Sequence, residues 1–526
     1  MAGDNEINKK KTMDIKSKFA LSALLFILPL CLRAQHTITI AQPENPVTIS
    51  KHIYGHFAEH LGRCIYGGIY VGEESTIPNT EGVRNDIIAA LKELDIPNLR
   101  WPGGCFADTY HWKDGVGPKS ERPSMINRWW GGVTEDNSFG THDFLNLCET
   151  LGAEPYLAAN VGSSTVQEFT EYIEYVLHEG GSPMADYRKE NGREKPWEVK
   201  YWGVGNEMWG CGGNMTPEHY ADVYRQYATF MTDWTNTEGL FRVASGANVD
   251  DYHWTEVMMS KIPKHLIEGV ALHSYSFVEW NDKGSATAFD EDQYFATMRS
   301  ALRMGELIEK HTAIMDKYDP KKEISLVVDE WGGWYEVEEG TNPGFLYQQN
   351  TMRDAMIAGT TLNIFNNRAD RVKMANLAQT VNVLQAVILT DKEKMLLTPT
   401  YHVMHMYKVH QDNTLLPVNF DSPPYEYQGE SLPAISISAS RDGDGVVYFS
   451  LVNIDANKGH LVELQLGDLG VKALKGKILK SDRLQDFNSF EVPEKIKPID
   501  FKTVQVNNGV ALIELPPFSV LVLNSL

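Results

Sequence analysis

The sequence predicts a (β/α)₈ TIM barrel followed by an antiparallel β-sandwich, and three observations support this prediction. Between about residues 48 and 366, short apolar runs alternate with longer amphipathic stretches, which is typical of a parallel sheet covered by helices. Each apolar run has a polar residue at or near its end. Beyond about residue 411, short β-rich runs are broken by Gly, Asp, Asn and Pro, as in a sandwich.

Eight apolar runs supply the strands of the predicted barrel. They span residues 48–57, 97–101, 153–159, 199–205, 242–246, 269–272, 324–328 and 360–365. The stretches between them have apolar residues at helical spacing, most clearly Val83, Ile87, Ile88, Leu91 and Leu94. Thr216 followed by Pro217 predicts a helix start, because proline at the first helical position loses no needed hydrogen-bond donor. Eight repeats of strand and helix are the number that closes such a barrel.

The same pattern places the domain boundaries. We expect the barrel to occupy residues 48–410 and the β-sandwich to occupy residues 411–526, with residues 36–47 adding an N-terminal strand to the sandwich. All 12 tryptophans lie between Trp101 and Trp334. The barrel therefore holds the aromatic surface, and the C-terminal domain is expected to be structural.

The charge balance excludes whole classes of partner. The chain has 48 Lys and Arg residues against 70 Asp and Glu residues, a net charge of −22. Nucleic acids and anionic membranes require a basic face, so neither is an expected partner. A neutral substrate such as a sugar meets no such objection.

The first 35 residues have the pattern of an export signal. Several lysines precede the apolar run 19–32, and Ala34 supplies a small residue after it. The apolar run is too short to span a bilayer, so no membrane insertion is expected. We therefore predict a signal peptide over residues 1–35 and a periplasmic or extracellular protein, with a lipid anchor at Cys31 as the less favoured alternative.

Four cysteines follow this segment, and their spacing does not reveal their chemistry. Cys64, Cys105, Cys148 and Cys211 are far apart and form no CxxC pair, which indicates neither a zinc ribbon nor a disulfide-dense scaffold. Two of them could still pair, and the sequence leaves the choice open.

The polar residues at the strand ends are the candidates for chemistry, because a barrel builds its site where strands meet the loops that follow. They are Glu59, Arg100, Asn160, Asn206 with Glu207, Asn248, His273 with Tyr275, Glu330 and Asn366. One polar strand end means little, since it also favours solubility. A polar residue after every run indicates a shared site.

Glu207 and Glu330 form the strongest pair, at the ends of the fourth and seventh runs. Retaining glycoside hydrolysis needs two carboxyl groups about 5 to 5.5 Å apart, one protonated and one ionised. Barrel strands can supply that spacing. The pair predicts a glycoside hydrolase in which one of the two residues is the general acid/base and the other is the nucleophile.

Several longer motifs then resemble one family. The segments YGHFAEHLGRCIYGGIY (54–70), LRWPGG (99–104), WKDGVGP (112–118), GNE (205–207), LHSY (272–275), DEW (329–331) and ANLAQ (375–379) resemble, in this order, the family 51 α-L-arabinofuranosidases. The resemblance covers the whole barrel. It implies a retaining, exo-acting enzyme that removes arabinofuranosyl side chains from arabinoxylan, arabinan or derived oligosaccharides without a metal or cofactor, and that forms homo-oligomers.

The resemblance also implies roles for individual residues. Glu207 matches the acid/base and Glu330 the nucleophile of the family. The expected substrate-binding residues around them are Glu59, Arg100, Cys105, Asn206, His273, Tyr275, Trp334 and Gln379. Cys105 and Gly332 stand where many members of the family have Asn, which leaves the contact at Cys105 open.

Three alternatives compete with this interpretation. His56, Glu59 and His60 fit the H-x-x-E-H pattern of a zinc peptidase, but that chemistry needs the motif on a helix and the preceding run is strand-like. A non-catalytic sugar-binding module would need neither Glu207 nor Glu330. Another retaining barrel glycosidase, such as an endo-glucanase or xylanase, would act on pyranosides instead of furanosides.

Overall fold

The computed structural model describes residues 36–235 and 239–526 and contains a closed parallel barrel with a sandwich beside it. The barrel strands are Gly55–Phe57, Asn98–Trp101, Glu154–Ala159, Tyr201–Val204, Phe241–Asn248, Gly269–Ser276, Ser325–Gly333 and Val372–Ala378. We number them one to eight in this order. Strand eight pairs in parallel with strand one and closes the barrel. The predicted fold class is confirmed.

Helices follow each barrel strand and cover the outside of the barrel. They are Asn85–Glu93, Thr141–Leu151, Val166–Leu177 with Pro183–Glu190, Pro217–Phe230, Tyr252–Lys261, Glu291–Tyr318, Met352–Asn367 and Pro399–Tyr407. The predicted start at Thr216 is correct, because its side chain accepts a hydrogen bond from the backbone N–H of His219. Among the described residues, none of the helices combines the length and the apolar character that crossing a membrane requires.

Two of the eight predicted strands are wrong in detail. The first is much shorter than residues 48–57, because Lys51–Tyr54 forms a 3₁₀ turn before the strand begins at Gly55. The predicted eighth run, residues 360–365, lies inside the helix Met352–Asn367, and the true eighth strand follows it. Asn366 is therefore a helix residue and not a strand end.

The position of this helix explains the error. It lies between the barrel and the sandwich, so residues on every side of it are buried and its sequence lacks the polar face of a surface helix. Gly359 brings its backbone against the sandwich, where an added Cβ would lie 2.8 Å from a methyl group of Val452. Asn363 and Asn366 donate hydrogen bonds to Ser436 and Ser438 of the sandwich.

Two sheets build the C-terminal sandwich. One contains, in spatial order, Val418–Phe420, His36–Ile40, His460–Gln465 and Val510–Leu515, and the other contains Thr414–Leu416, Ile435–Arg441, Val447–Asn453, Ser519–Ser525, Ala473–Leu479 and Ile499–Gln505. All of the pairings are antiparallel except that between His36–Ile40 and His460–Gln465, which is parallel. Short two-stranded hairpins lie outside the barrel and these two sheets. They are Asn79–Thr80 with Val83–Arg84, Met125–Ile126 with Thr134–Glu135, Ile388–Asp391 with Lys394–Leu397, and Pro424–Tyr427 with Glu430–Pro433.

Side chains fill the inside of the barrel, so it is a packed core. Tyr156, Tyr201, Val243, Ala271, Val327 and Met374 come from six different strands and form one buried cluster. This filled interior leaves the strand ends as the place where a cavity can open.

Candidate active site

A small cavity of about 50 Å³ opens at the carboxyl ends of the barrel strands. The residues that line it are Glu59, Leu61, Gly104, Cys105, Trp130, Asn206, Glu207, Tyr275, Glu330, Trp334, Leu346, Gln379 and Leu384. Most of the residues that the sequence predicted for the site therefore meet in one place.

Glu330 lies at the centre of a hydrogen-bond network. Arg100 donates from Nη1 to Glu330 Oε1 at 2.9 Å, and the Tyr275 hydroxyl donates to Oε2 at 2.7 Å. Arg100 also donates from Nη2 to Asn206 Oδ1 at 2.6 Å. The side chain of Glu330 is 8% exposed, so it is a buried carboxylate with a cation and a donor on its two oxygens.

Glu207 is held by His273, whose Nδ1 also lies 3.7 Å from Glu330 Oε1. His273 Nδ1 donates to Glu207 Oε1 at 2.9 Å, and Nε2 donates to Asp329 Oδ1 at 3.1 Å. Burial opposes a charge on His273, but Glu330, Asp329 and Glu207 outweigh it and raise the pKa of His273 to about 10. The imidazole is therefore a cation with both nitrogens donating. Glu207, His273 and Asp329 form, in this order, a continuous chain of hydrogen bonds.

Asp329 was not predicted as a site residue. It directly precedes Glu330, and neighbouring residues in a regular strand face opposite sides. The pairing register between strands seven and eight shifts between Val328 and Trp331, which indicates a local irregularity of the strand. Both carboxylates thereby reach the network, since Asp329 also accepts a hydrogen bond from Tyr156 at 2.8 Å.

The two candidate catalytic carboxyl groups are close together. One oxygen of Glu207, one oxygen of Glu330 and one ring nitrogen of His273 all lie within 4.8 Å of one another. Burial raises the pKa of Glu207, and the negative charge of Glu330 acts in the same direction, whereas the hydrogen bond from His273 opposes them. Glu207 is thus biased toward its protonated form, and it lies beside Glu330, which is paired with Arg100.

Glu59 and Gln379 line the cavity and are hydrogen-bonded to each other. Glu59 Oε1 accepts from the backbone N–H groups of Gly104 and Phe106 and from Trp130 Nε1, and Oε2 accepts from Gln379 Nε2 at 2.9 Å. Burial raises the pKa of Glu59 to about 7, and Glu330 adds to the effect. Gln379 Oε1 is buried and has no hydrogen-bond partner within residues 36–235 and 239–526, so a polar group is available to a ligand.

Cys105, which forms part of one wall of the cavity, belongs to a disulfide. Cys105 and Cys211 are bonded, with their Cα atoms 5.5 Å apart, whereas Cys64 and Cys148 are free and buried. Beside this wall, Gly104 packs so closely that an added Cβ would lie 2.7 Å from Glu330 Oε1, and only glycine leaves room for that carboxylate. Pairing depends on distant parts of the chain, which is why spacing alone did not reveal it.

Asp108 is a second residue that the sequence did not reveal. Its Oδ2 accepts from the backbone N–H of Asn206 at 3.0 Å, and its Oδ1 accepts from the N–H groups of Val161 and Gly162. It fixes the loops after strands three and four. No signal separated it from other acidic loop residues, because its partners lie about 50 to 100 positions away.

Several predicted residues have other positions. Arg100 and His273 contact the carboxyl groups and do not line the cavity. Among the barrel tryptophans, Trp130 and Trp334 line the cavity, but Trp112 and Trp254 are buried and stack on Tyr172 and Tyr220 in the core.

The zinc-peptidase motif does not form its required geometry. His56 lies in strand one and not on a helix. His60 accepts a hydrogen bond from the Trp101 indole and contacts Glu135, while Glu59 turns into the cavity. The three side chains therefore have separate environments.

A closed parallel barrel with two carboxyl groups close together at its strand ends fits the class of barrel glycoside hydrolases. Comparison with known proteins specifies the family. The model named "Alpha-L-arabinofuranosidase 1 domain" matches residues 90–290, and the model named "Alpha-L-arabinofuranosidase C-terminal domain" matches residues 329–519.

Individual relatives agree with the family models. An intracellular exo-alpha-L-arabinofuranosidase of Bacteroides ovatus is 50% identical over 97% of this chain and 99% of its own length. The crystal structure of the GH51 arabinofuranosidase from Xanthomonas axonopodis pv. citri has a TM-score of 0.92 at 47% identity, covering 94% of this chain and 100% of that one. The arabinose complex of the Thermotoga maritima α-L-arabinofuranosidase has a TM-score of 0.82 at 30% identity, covering 93% and 99%. The chain belongs to the α-L-arabinofuranosidases of glycoside hydrolase family 51, and it removes arabinofuranosyl groups by hydrolysis.

The predicted export is contradicted by the same comparison. The Bacteroides ovatus relative, which matches almost the whole chain, is named an intracellular enzyme. A basic segment followed by an apolar run is evidence from composition only, and it does not separate a signal peptide from other N-terminal segments. Residues 1–35, including Cys31, lie outside the described residues.

Proposed function

We propose that the enzyme hydrolyses α-L-arabinofuranosides by double displacement, with Glu330 as nucleophile and Glu207 as general acid/base. The observation that supports it best is the approach of one Glu207 oxygen and one Glu330 oxygen to within 4.8 Å. An inverting enzyme needs room for a water molecule and separates its carboxyl groups by about 6.5 to 9.5 Å, whereas a retaining enzyme places them about 5 to 5.5 Å apart. The close approach favours the retaining arrangement.

The contacts of the two carboxyl groups fit these different roles. Glu330 is paired with Arg100 and accepts from Tyr275, so it is ready to attack the anomeric carbon as an ionised group. Burial raises the pKa of Glu207, which favours the protonated form that an acid catalyst needs. After the glycosyl-enzyme forms, the ionised Glu207 takes a proton from the attacking water.

The cavity is small and lined by polar groups, which supports a site for one terminal sugar residue. Its volume of about 50 Å³ is small, and it ends on buried polar groups. We propose that Glu59, Asn206 and Gln379 bind the hydroxyl groups of the arabinofuranose, with the unpaired Gln379 Oε1 as one acceptor. Trp334, which packs edge-on against Tyr275, forms the aromatic wall. A small pocket of this kind favours a chain end, as exo-action requires.

The natural substrates proposed here are arabinose side chains of arabinoxylan, arabinan or oligosaccharides derived from them. The Bacteroides ovatus relative is named an exo-acting enzyme, which supports release of terminal groups but specifies no linkage. Singly and doubly substituted arabinoxylo-oligosaccharides, compared with linear arabinan fragments, are the measurement that separates these substrates. We also propose a homo-oligomer, which light scattering of the purified protein tests.

Two variants test the assignment of roles. Glu207→Ala is expected to lose activity mainly on substrates with poor leaving groups, because good leaving groups depart without proton donation. Glu330→Ala is expected to lose it on all substrates, because no nucleophile remains. Rates are measured on aryl α-L-arabinofuranosides whose phenols differ in acidity. Glu218→Ala, a change at an exposed glutamate on the outer helix Pro217–Phe230, serves as the control.

Equal losses in both variants, independent of the leaving group, would contradict the roles. Turnover of aryl pyranosides in preference to furanosides would instead contradict the substrate class.

A further inference from the structure

The disulfide between Cys105 and Cys211 connects two loops directly at the catalytic carboxyl groups. Cys105 follows strand two and lines the cavity, and Cys211 lies in the loop that follows Glu207. All three residues are partly exposed, so solutes can reach them. The proposed mechanism gives this sulfur pair no task.

The two oxygens of Glu207 have different neighbours. Oε1 accepts the hydrogen bond from His273 Nδ1 at 2.9 Å, whereas Oε2 lies 3.8 Å from Cys211 Sγ. A disulfide sulfur has no hydrogen to donate, so this second approach is a van der Waals contact. One oxygen of Glu207 and the sulfur atoms of Cys105 and Cys211 all lie within 4.8 Å of one another.

We propose that reduction of this disulfide creates, from Cys105, Cys211 and Glu207, a binding site for one thiophilic divalent cation such as Zn²⁺, and that the bound ion stops hydrolysis. Two thiolates and one carboxylate are a ligand set that zinc accepts, with water at the fourth tetrahedral position. Zn–S and Zn–O bonds of about 2.3 and 2.1 Å place such ligand atoms about 3.6 Å apart across a tetrahedral ion. The 3.8 Å between Glu207 Oε2 and Cys211 Sγ is close to that spacing.

The chemical steps balance with a water-soluble phosphine as reductant. The phosphine is oxidised to its oxide, taking its oxygen from water, and its two electrons with two protons convert the S–S bond into two thiols. Zn²⁺ then displaces the protons of both thiols and of the Glu207 carboxyl, and these protons leave to solvent. No other oxidant or reductant is needed.

The loss of activity follows from what the ion occupies. A Glu207 that coordinates zinc through Oε2 cannot carry the proton that the leaving group needs. The inhibition therefore rests on the proposed role of Glu207, whereas the binding of the ion does not.

The chain contains its own control thiols. Cys64 and Cys148 are buried, at 0% and 1% exposure, and neither belongs to the cluster around Glu207. Burial raises the pKa of both thiols, which disfavours the thiolate form that binds metals. Zinc bound by the reduced protein is expected at the Cys105 and Cys211 pair.

The test compares oxidised and phosphine-reduced enzyme in the presence of increasing zinc chloride, after removal of the reductant under inert gas. Bound zinc is measured by equilibrium dialysis and metal analysis, and hydrolysis is measured on an arabino-oligosaccharide. We expect the reduced enzyme to bind one zinc ion per chain more than the oxidised enzyme, to lose at least tenfold in rate at that stoichiometry, and to recover with a chelator.

Each variant is compared with itself, with and without zinc, so its basal rate need not equal that of the wild type. Cys105→Ser and Cys211→Ser are expected to lose the zinc response, Glu207→Gln to bind zinc more weakly, and Cys64→Ala to keep the full response. Equal zinc uptake by oxidised and reduced enzyme, or an unchanged response in both serine variants, overturns the proposed site.

Reduced enzyme that binds zinc yet keeps its activity overturns the inhibition. The leaving-group series on Glu207→Ala, which contains no metal, then shows independently whether the role of Glu207 has failed as well.

Discussion

Replacing His273 by Gln removes the cation that lies between Glu207 and Asp329. His273 Nδ1 donates to Glu207 Oε1 at 2.9 Å, and this contact favours the ionised form of Glu207. A hydrogen bond to a charged group is worth ~1.5–3 kcal/mol, and His273→Gln removes a contact of this kind from the ionised form of Glu207. The pKa of Glu207 is therefore expected to rise.

The general acid must be protonated, so the alkaline limb of kcat/KM should move to higher pH. The assay is the pH dependence of kcat/KM between about pH 4 and pH 10 on an arabino-oligosaccharide, whose poor leaving group makes proton donation necessary. His311→Gln is the matched control, because His311 is equally buried but binds Thr255 and the Val249 carbonyl away from the cavity. An alkaline limb that stays in place or moves to lower pH would refute the reasoning.

Three further predictions concern stability and the nucleophile. The folded state raises the pKa of His273 to about 10. The protonation of His273 therefore stabilises the fold fully below about pH 6.5, and this stabilisation decreases as the pH rises through 10. Differential scanning calorimetry should show a smaller loss of Tm over this pH window in His273→Gln than in wild type. Tyr275→Phe removes the 2.7 Å hydrogen bond to Glu330 and should lower kcat/KM roughly 10- to 100-fold at unchanged Tm, and an unchanged rate would contradict that contact. Gly359→Val forces a side chain against Val452. It should lower the free energy of unfolding, measured with denaturant, by ~1–3 kcal/mol without changing KM. A variant as stable as wild type would show that the two domains separate easily at this contact.

The sequence predicted the parts of the fold that depend on local pattern. Seven of the eight barrel strands coincide with apolar runs, because strands covered by helices are buried on both faces. The helix Met352–Asn367 was misread as a strand for the same reason, since a helix enclosed by barrel and sandwich also has no polar face. Apolar runs alone do not separate these two kinds of buried segment.

The site shows the same division. The proximity of Glu207 and Glu330 could be predicted from the sequence because each follows an apolar run and barrel topology brings strand ends together. Asp329 could not, because its participation depends on a shift in strand register, and the Cys105–Cys211 pairing could not, because it depends on how two loops fold. Contacts between distant loops produce no periodic pattern in the sequence.

The configuration of the first sugar released tests the account most directly, since double displacement depends on Glu207 and Glu330 acting across one bond. Proton NMR during the earliest phase of hydrolysis, before the free sugar equilibrates, distinguishes the two anomers of arabinofuranose. Two successive inversions predict that the α anomer appears first. Initial release of the β anomer would mean a single displacement by water and would contradict the assignment of Glu330 as nucleophile.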